Sequence, residues 1–294
     1  MYYRRKVMLA LIQKAGGRLS AFRFQKLLFL ATRKQAEPTY QFVPYKFGSF
    51  SFESYEDMRA LVKHNVVRET DKDWELLSKD DYLGALREED RRLIREVEES
   101  FQDLTDDQLI RHTYQLYPFF AIRSTVAKKL LNREELAEVE KARPKQVQRE
   151  LFTLGYEGLS IEGYLLKLIE NNVQVLCDVR RNAMSMKYGF AKGTLERNCE
   201  KMGIQYVHIP GLGIESSQRK DLKTRQDYMD LFEDYEAKTL PKTTTERASI
   251  LELLASKGRV ALTCFESDHT LCHRSRVADA LMQTPGWEPQ LTHL

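Results

Sequence analysis

From residue 151 onward the chain alternates short apolar runs with helical patterns, and this alternation limits the fold more than any other feature. Runs at 151–155, 173–179, 204–209 and 259–264 read as strands. Between them, 160–171, 191–202, 225–237 and 244–256 carry apolar residues at helical spacing. A further helix is expected at 271–283, and a last strand at 290–293. Such alternation predicts an α/β domain of three layers around a mainly parallel sheet. Neither an internal repeat nor a low-complexity tract interrupts it.

The part before it is patterned differently. Residues 3–15 predict a helix stopped by Gly16-Gly17, and Ser20 is the expected N-cap of a second helix carrying Phe24, Leu27, Leu28 and Ala31. Gly48 marks a turn, and 54–64 form a third helical pattern. Val66-Val67-Arg68-Glu69 and Trp74-Glu75-Leu76-Leu77 then flank Thr70-Asp71-Lys72-Asp73 as a hairpin. Three helices and a small hairpin predict a mostly helical, winged-helix-like module over 1–77. Residues 78–145 read as a charged helical connector, and 146–294 as the α/β domain. The boundary rests on the polar stretch 141–150, which contains Pro144 and no apolar stripe.

Charge follows the same division. The 294 residues carry 46 Lys+Arg and 43 Asp+Glu. Residues 1–36 hold nine Lys/Arg and no acid, whereas 77–107 hold five bases and eleven acids. Arg4, Arg5, Lys6, Arg18, Arg23 and Lys26 are therefore the candidates for neutralising phosphates of DNA or RNA. No apolar run reaches the roughly 20 residues of a membrane-spanning helix, so no membrane partner is expected. Gln13 and Lys14 break the first apolar stretch, so no secretory leader is expected either. Four cysteines are too few for a disulfide scaffold, which makes a cytoplasmic location the expectation.

Open parallel sheets bind ligands beyond the carboxyl ends of their strands. The expected first strand is followed by Gly155-Tyr156-Glu157-Gly158, and the second ends in Asp178-Val179-Arg180-Arg181. After the third comes His208-Ile209-Pro210-Gly211-Leu212-Gly213; after the fourth, Cys264-Phe265-Glu266, with Cys272-His273-Arg274 opening a helix. Glu266 is the candidate general acid or base, Asp178 a second carboxylate and His208 a proton shuttle. Cys264 is a candidate strand-end nucleophile, and Cys272 a thiol whose pKa a helix start would lower. Arg180 and Arg274, beside His273, are candidate anion ligands, and Tyr156 can stack on a ring. Each has a plainer alternative: Asp178 and Arg180 as a buried pair, Glu266 as an ion-pair partner, the cysteines as small core residues. Cys264, His269, Cys272 and His273, with His208, hold zinc-binding atoms. The Cys-x4-His-x2-Cys-His spacing is not that of structural zinc sites, and no metal is expected.

These elements also resemble a family. Thr153-x-Gly155-Tyr156, Asp178-Val179-Arg180, Tyr206-Val207-His208-Ile209-Pro210-x-Leu212-Gly213, Cys264-x-Glu266 and Cys272-His273-Arg274 occur in the order found in the bacterial domain of unknown function 488. The resemblance covers about 151–283 and implies an α/β fold with these segments around one site. It implies no particular reaction or cofactor. Where that family often has Pro-x-Ser, this chain reads Asn182-Ala183-Met184-Ser185. The strand-end Cys is also similar to rhodanese-type sulfur-transfer domains. Their Gly- and Arg-rich cysteine loop is not matched by Cys264-Phe265-Glu266-Ser267-Asp268-His269.

Phe24-Gln25-Lys26-Leu27-Leu28-Phe29-Leu30, followed by Tyr45-Lys46-Phe47-Gly48-Ser49-Phe50-Ser51, resembles the Panacea-type antitoxin fold related to SocA. Common members have Gly-Pro where this chain has Gly48-Ser49. The resemblance implies an interaction or regulatory module of toxin–antitoxin and phage-defence settings.

Three functional expectations follow. The first is an enzyme acting on a glycosidic or phosphoester bond of a nucleic acid or nucleotide, guided by the basic module in phage defence. The second is a non-enzymatic nucleotide sensor that contacts DNA or a partner, with a homodimer allowed. The third is cysteine-dependent sulfur or thiol chemistry.

Overall fold

The computed structural model describes residues 1–145, 148–219 and 222–294. The chain divides into two compact units, Met1–Arg143 and Pro144–Leu294. Residues 146 and 147, inside the expected boundary stretch, lie outside the described residues.

The first unit runs α1 (Tyr3–Lys14), β1 (Arg18–Ser20), α2 (Ala21–Thr32), β2 (Val43–Tyr45), β3 (Gly48–Phe50), α3 (Phe52–Lys63), β4 (Val67–Glu69) and β5 (Asp73–Leu76). It continues with α4 (Glu88–Phe101), α5 (Asp106–Leu116), α6 (Ala127–Leu130) and α7 (Arg133–Ala142). Ser20 caps α2 by accepting from Arg23 N at 3.1 Å, and Ser51 caps α3 through Ser54 N at 3.2 Å. Gly16 and Gly17, at φ +83° and +84°, end α1 in the left-handed region that glycine adopts without strain. β4 and β5 pair antiparallel across the expected turn, and β1 adds to β5, giving the order β1-β5-β4.

The segment expected as a connector is part of this unit's interior. Tyr82, Leu86, Ile94, Val97, Leu109 and Phe120 join Val7, Leu11, Phe24, Leu28 and Trp74 in one buried cluster. The acidic faces of α4 and α5 do not simply meet water, because they also take cations from α1, α2 and the residues just after α2. Lys14 pairs with Glu99 at 2.9 Å, Arg23 with Asp106 at 3.1 Å, and Lys34 with Glu96.

The basic leading segment is therefore largely neutralised within its own fold. Arg4 binds Glu53 and Asp57, each at 2.6 Å, and Arg5 reaches Asp57 at 2.8 Å. Arg18 pairs with Asp73 at 2.7 Å, and Arg23 also donates to the carbonyls of Phe101 and Leu104. Burial opposes the Asp57 charge, but hydrogen bonds from Arg4, Tyr40 and Arg5 hold its pKa below the usual carboxylate range. Lys26 is only 2% exposed, so it does not offer its charge at the surface. Of the six candidate phosphate ligands, Lys6 has no such pairing among the described residues. The sequence could not reveal this, since the acids concerned lie about 50 to 80 positions downstream.

The second unit runs β6 (Glu150–Gly155), α8 (Ile161–Glu170), β7 (Val175–Asp178), α9 (Lys192–Lys201) and β8 (Gln205–His208). After it come α10 (Arg225–Lys238), α11 (Thr244–Lys257), β9 (Arg259–Cys264), α12 (His273–Met282) and β10 (Gln290–His293). The five strands form one parallel sheet in the order β10-β6-β9-β7-β8. Leu151, Val175, Cys177, Val260 and Leu262 pack one face of it against Phe232, Ile250, Leu254, Val277 and Leu281 of α10, α11 and α12. The next residues along, Phe152, Leu154, Leu176 and Ala261, are buried on the other face. Among the described residues, no helix is long and apolar enough to cross a membrane.

Lys26 gives the first unit a pH signature. Burial pulls its pKa down from 10.5 to about 7. Between those values the unfolded chain holds a proton that the native chain lacks, so stability rises with pH. Urea denaturation from pH 7 to 9 should show this rise, approaching about 1.4 kcal/mol per pH unit. Lys26→Met should remove it and be at least as stable at pH 7.

Candidate functional site

Parallel register brings the expected strand ends into one line. Gly155 lies opposite Cys264, Asp178 opposite Thr263, and His208 opposite Asp178. β9 inserts between β6 and β7, so the connections out of β6 and β9 leave the sheet edge in opposite senses, the condition for a crevice there. A cleft of about 220 Å³ occupies this edge, lined by Tyr156, Arg180, Arg181, Asn182, Met184, Ile214, Cys264 and Phe265.

Its floor is an internal ion pair. Arg180 and Asp178 are 5% and 0% exposed. Arg180 Nε donates to Asp178 Oδ1 at 2.8 Å, and Nη2 to Oδ2 at 2.5 Å. Arg180 Nη1 donates to Tyr156 Oη at 2.9 Å and to the Phe190 carbonyl at 3.0 Å. Tyr206 Oη donates to Asp178 Oδ2 at 2.6 Å. Burial works against the Arg180 charge, but the Asp178 hydrogen bonds and charge overcome it and raise its pKa. Burial, reinforced by the Asp178 charge, keeps the Tyr206 phenol protonated far above its usual range. Of the two expectations for Asp178 and Arg180, the geometry therefore favours the buried pair. Tyr156 is not an exposed stacking platform. It is buried against Phe190, with ring centroids 4.3 Å apart and planes 10° from parallel.

Arg274 differs from its expected role as an anion ligand. It is 1% exposed and clamps the loop after β9, donating through Nη1 to the Glu266 carbonyl and through Nη2 to the Ser267 carbonyl at 3.1 Å. Gly155 lets this loop close, because a Cβ there would sit 1.8 Å from the Glu266 carbonyl oxygen. Glu157 fixes the next residue by accepting from Ser267 N and Oγ, each at 3.0 Å. His208, the expected proton shuttle, donates through Nε2 to the Arg180 carbonyl at 2.9 Å.

Two thiols and an imidazole lie together below the cleft. His273 Nε2 lies 3.0 Å from the Val179 carbonyl, which can only accept. The proton is therefore on Nε2, leaving Nδ1 as acceptor toward Cys264 Sγ at 3.7 Å and Cys272 Sγ at 4.0 Å. Cys264 Sγ is also 3.2 Å from Glu266 Oε2. Cys272 contradicts the expectation of a lowered pKa: burial, followed by its contact with Cys264, raises it well above the ordinary thiol value. The nearby Arg274 charge acts the other way but does not offset burial. Burial likewise pushes the Cys177 thiol up to about 12 and raises that of Cys199, as befits core residues.

One ligand atom from each of Cys264, Cys272 and His273 lies within 4.8 Å of the others, close enough for one soft metal ion to bridge. His269 is not of this group, its ring stacking on His293 at 3.7 Å. Spacing argued against a metal there because Cys264 comes from a strand and the other two from a helix start, so their distance along the chain does not follow a structural zinc motif. Phe190 is not among the expected site residues, whereas Gly155 and Tyr206 stand there only as members of the strand-end segments, without these roles.

Fold and edge together define a parallel α/β domain with a cysteine–histidine cluster beneath a small cleft. Residues 160–281 match the family model described as domain of unknown function DUF488. The matched span holds Asp178, Arg180, His208, Cys264, Glu266, Cys272, His273 and Arg274, whereas Tyr156 precedes it. No curated protein and no solved structure matches the chain.

Two substitutions test this architecture. Arg180→Ala strands a buried carboxylate and should cost about 3–5 kcal/mol in denaturant unfolding of the second unit. Gly155→Ala should cost about 2 kcal/mol or more by the same measurement, because the colliding atom is backbone and cannot swing away.

Proposed function

We propose that the second unit performs cysteine-dependent group transfer or hydrolysis, with Cys264 as nucleophile and His273 as its base. The observation that carries this reading is the His273 imidazole, anchored through Nε2 on Val179 with Nδ1 facing the Cys264 thiol. Cys264 is the one cysteine that lines the cleft among the described residues. In the proposed step its proton passes to His273 Nδ1 and sulfur bonds to the electrophilic atom of the substrate. The leaving group departs with the bonding pair and takes the proton from His273. Water then releases the transferred group and restores the thiol. Glu266, beside the thiol, is the acid–base group for that second half. Asp178 and Arg180 hold the cleft floor without entering the reaction.

The reading as an enzyme of nucleic acids or nucleotides rests on less, because Asp178, Arg180 and Arg274 are occupied by one another or by backbone, and most of the basic leading residues are paired. Arg181 keeps that substrate class open. It lines the cleft and is about half exposed, although it pairs with Glu215 at 2.6 Å. For the first unit, the order α1, β1, α2, α3, β4, β5 with its three-stranded sheet supports a winged-helix-like module. We assign it a partner-binding or regulatory role in a cytoplasmic protein, consistent with the Panacea-like resemblance and a phage-defence setting.

Iodoacetamide alkylation with mass mapping tests the assignment on the native chain. Cys264 should react at least tenfold faster than Cys177 and Cys199, and His273→Gln should slow it. Equal inertness of all four cysteines, or a rate indifferent to His273, overturns the nucleophile. Protection of Cys264 that a chelator removes would instead mark the cluster as a metal site.

A further inference from the structure

The first unit holds a partly open slot, different in character from the thiol cluster of the second. It has a volume of about 290 Å³ and lies between the start of α2 and the β2–β3 hairpin. Phe22, Tyr45, Phe47, Phe50 and Tyr55 supply aromatic walls, and Lys26 and Ser49 are the buried polar residues in its lining besides Gln25. Gln25 is already engaged, donating to Ser54 Oγ at 2.9 Å and accepting from Ser51 N at 3.0 Å.

Lys26 is in a different position. Its amine donates to the Ser49 carbonyl at 2.8 Å and lies 5.4 Å from the centre of the Phe22 ring. Among the described residues it has no carboxylate partner, and none of the lining residues is acidic. The Ser49 hydroxyl beside it is buried and makes no hydrogen bond. A second cation, Lys46, stands exposed at the mouth. Burying a cation without a counter-charge is costly, as is burying an unbonded hydroxyl. Both costs fall at the same place, inside an aromatic slot.

We propose that this slot binds a small aromatic carboxylate, its ring held between the aromatic walls and its carboxylate on Lys26 Nζ and Ser49 Oγ. The anion supplies the missing counter-charge and accepts from the hydroxyl. Size agrees with this ligand class: an apolar cavity of about 150 Å³ admits benzene, so 290 Å³ takes a ring with a short acid-bearing arm. Aromatic walls and a cation together also disfavour a bare inorganic anion, which would leave the apolar surface unfilled. This site is independent of the chemistry proposed for Cys264, and the two can fail separately.

The test is calorimetric titration of the full chain at pH 7 with phenylacetate and 3-phenylpropionate, each compared with its neutral amide. The acids should bind at least tenfold more tightly than the amides, and Lys26→Met should abolish that preference. Equal affinity of acid and amide, absence of binding at millimolar ligand, or an acid preference that survives Lys26→Met overturns the proposal. The acid–amide comparison uses the unaltered chain, so it decides the question even if the variant does not fold. Inorganic phosphate, titrated alongside, should bind at least tenfold more weakly than the acids; equal binding would mark a simple anion site and overturn the proposal.

Discussion

The second unit is organised around the Asp178–Arg180 pair. Two charges removed from water need nearly ideal geometry to be tolerated, and here the guanidinium fork, a backbone amide and two phenols supply it. Because Arg180 also donates to the Phe190 carbonyl, the long loop after β7 is drawn back over the sheet. The Arg180 carbonyl in turn accepts from His208, and the neighbouring Val179 carbonyl from His273. One strand end thus sets the position of both histidines. Without it the imidazole facing the thiols has no fixed tautomer.

This arrangement separates residues that build the cleft from those that can react in it. Arg274, Gly155 and Glu157 all serve the loop after β9: one clamps its carbonyls, one allows its approach, and one accepts from Ser267. They hold Glu266 in place beside the buried Cys264 thiol. In the proposed function the chemistry falls to two thiols, one imidazole and one carboxylate. That is a smaller set than the strand-end residues as a whole, and it moves the emphasis from charge recognition to sulfur.

The first unit shows the opposite economy of charge. Its surface cations largely meet acids from distant helices, while its one deeply buried lysine meets none among the described residues. Charge counted along the chain therefore does not show which cations are paired. Nine bases without an acid over 36 residues suggest a polyanion-binding surface. In the folded unit Arg4, Arg5, Lys14, Arg18 and Arg23 meet Asp57, Asp73, Glu99 and Asp106, and the acidic stretch that reads as a connector is in part their partner.

Sequence alone determined the elements and the side of the sheet where polar groups gather. Periods of two and 3.6 residues, caps such as Ser20 and stops such as Gly16 are local properties, set by backbone sterics and neighbouring hydrogen bonds. Strand ends follow from strand bounds, so the local pattern is enough to put Cys264, Asp178 and His208 at one edge. Tertiary structure decided what each residue does there. Whether Arg180 faces a ligand or Asp178, whether Cys272 is activated or desolvated, and whether Lys26 covers a surface or lines a slot depend on partners tens of residues away and on exclusion of water. Those are properties of packing, and no local pattern encodes them.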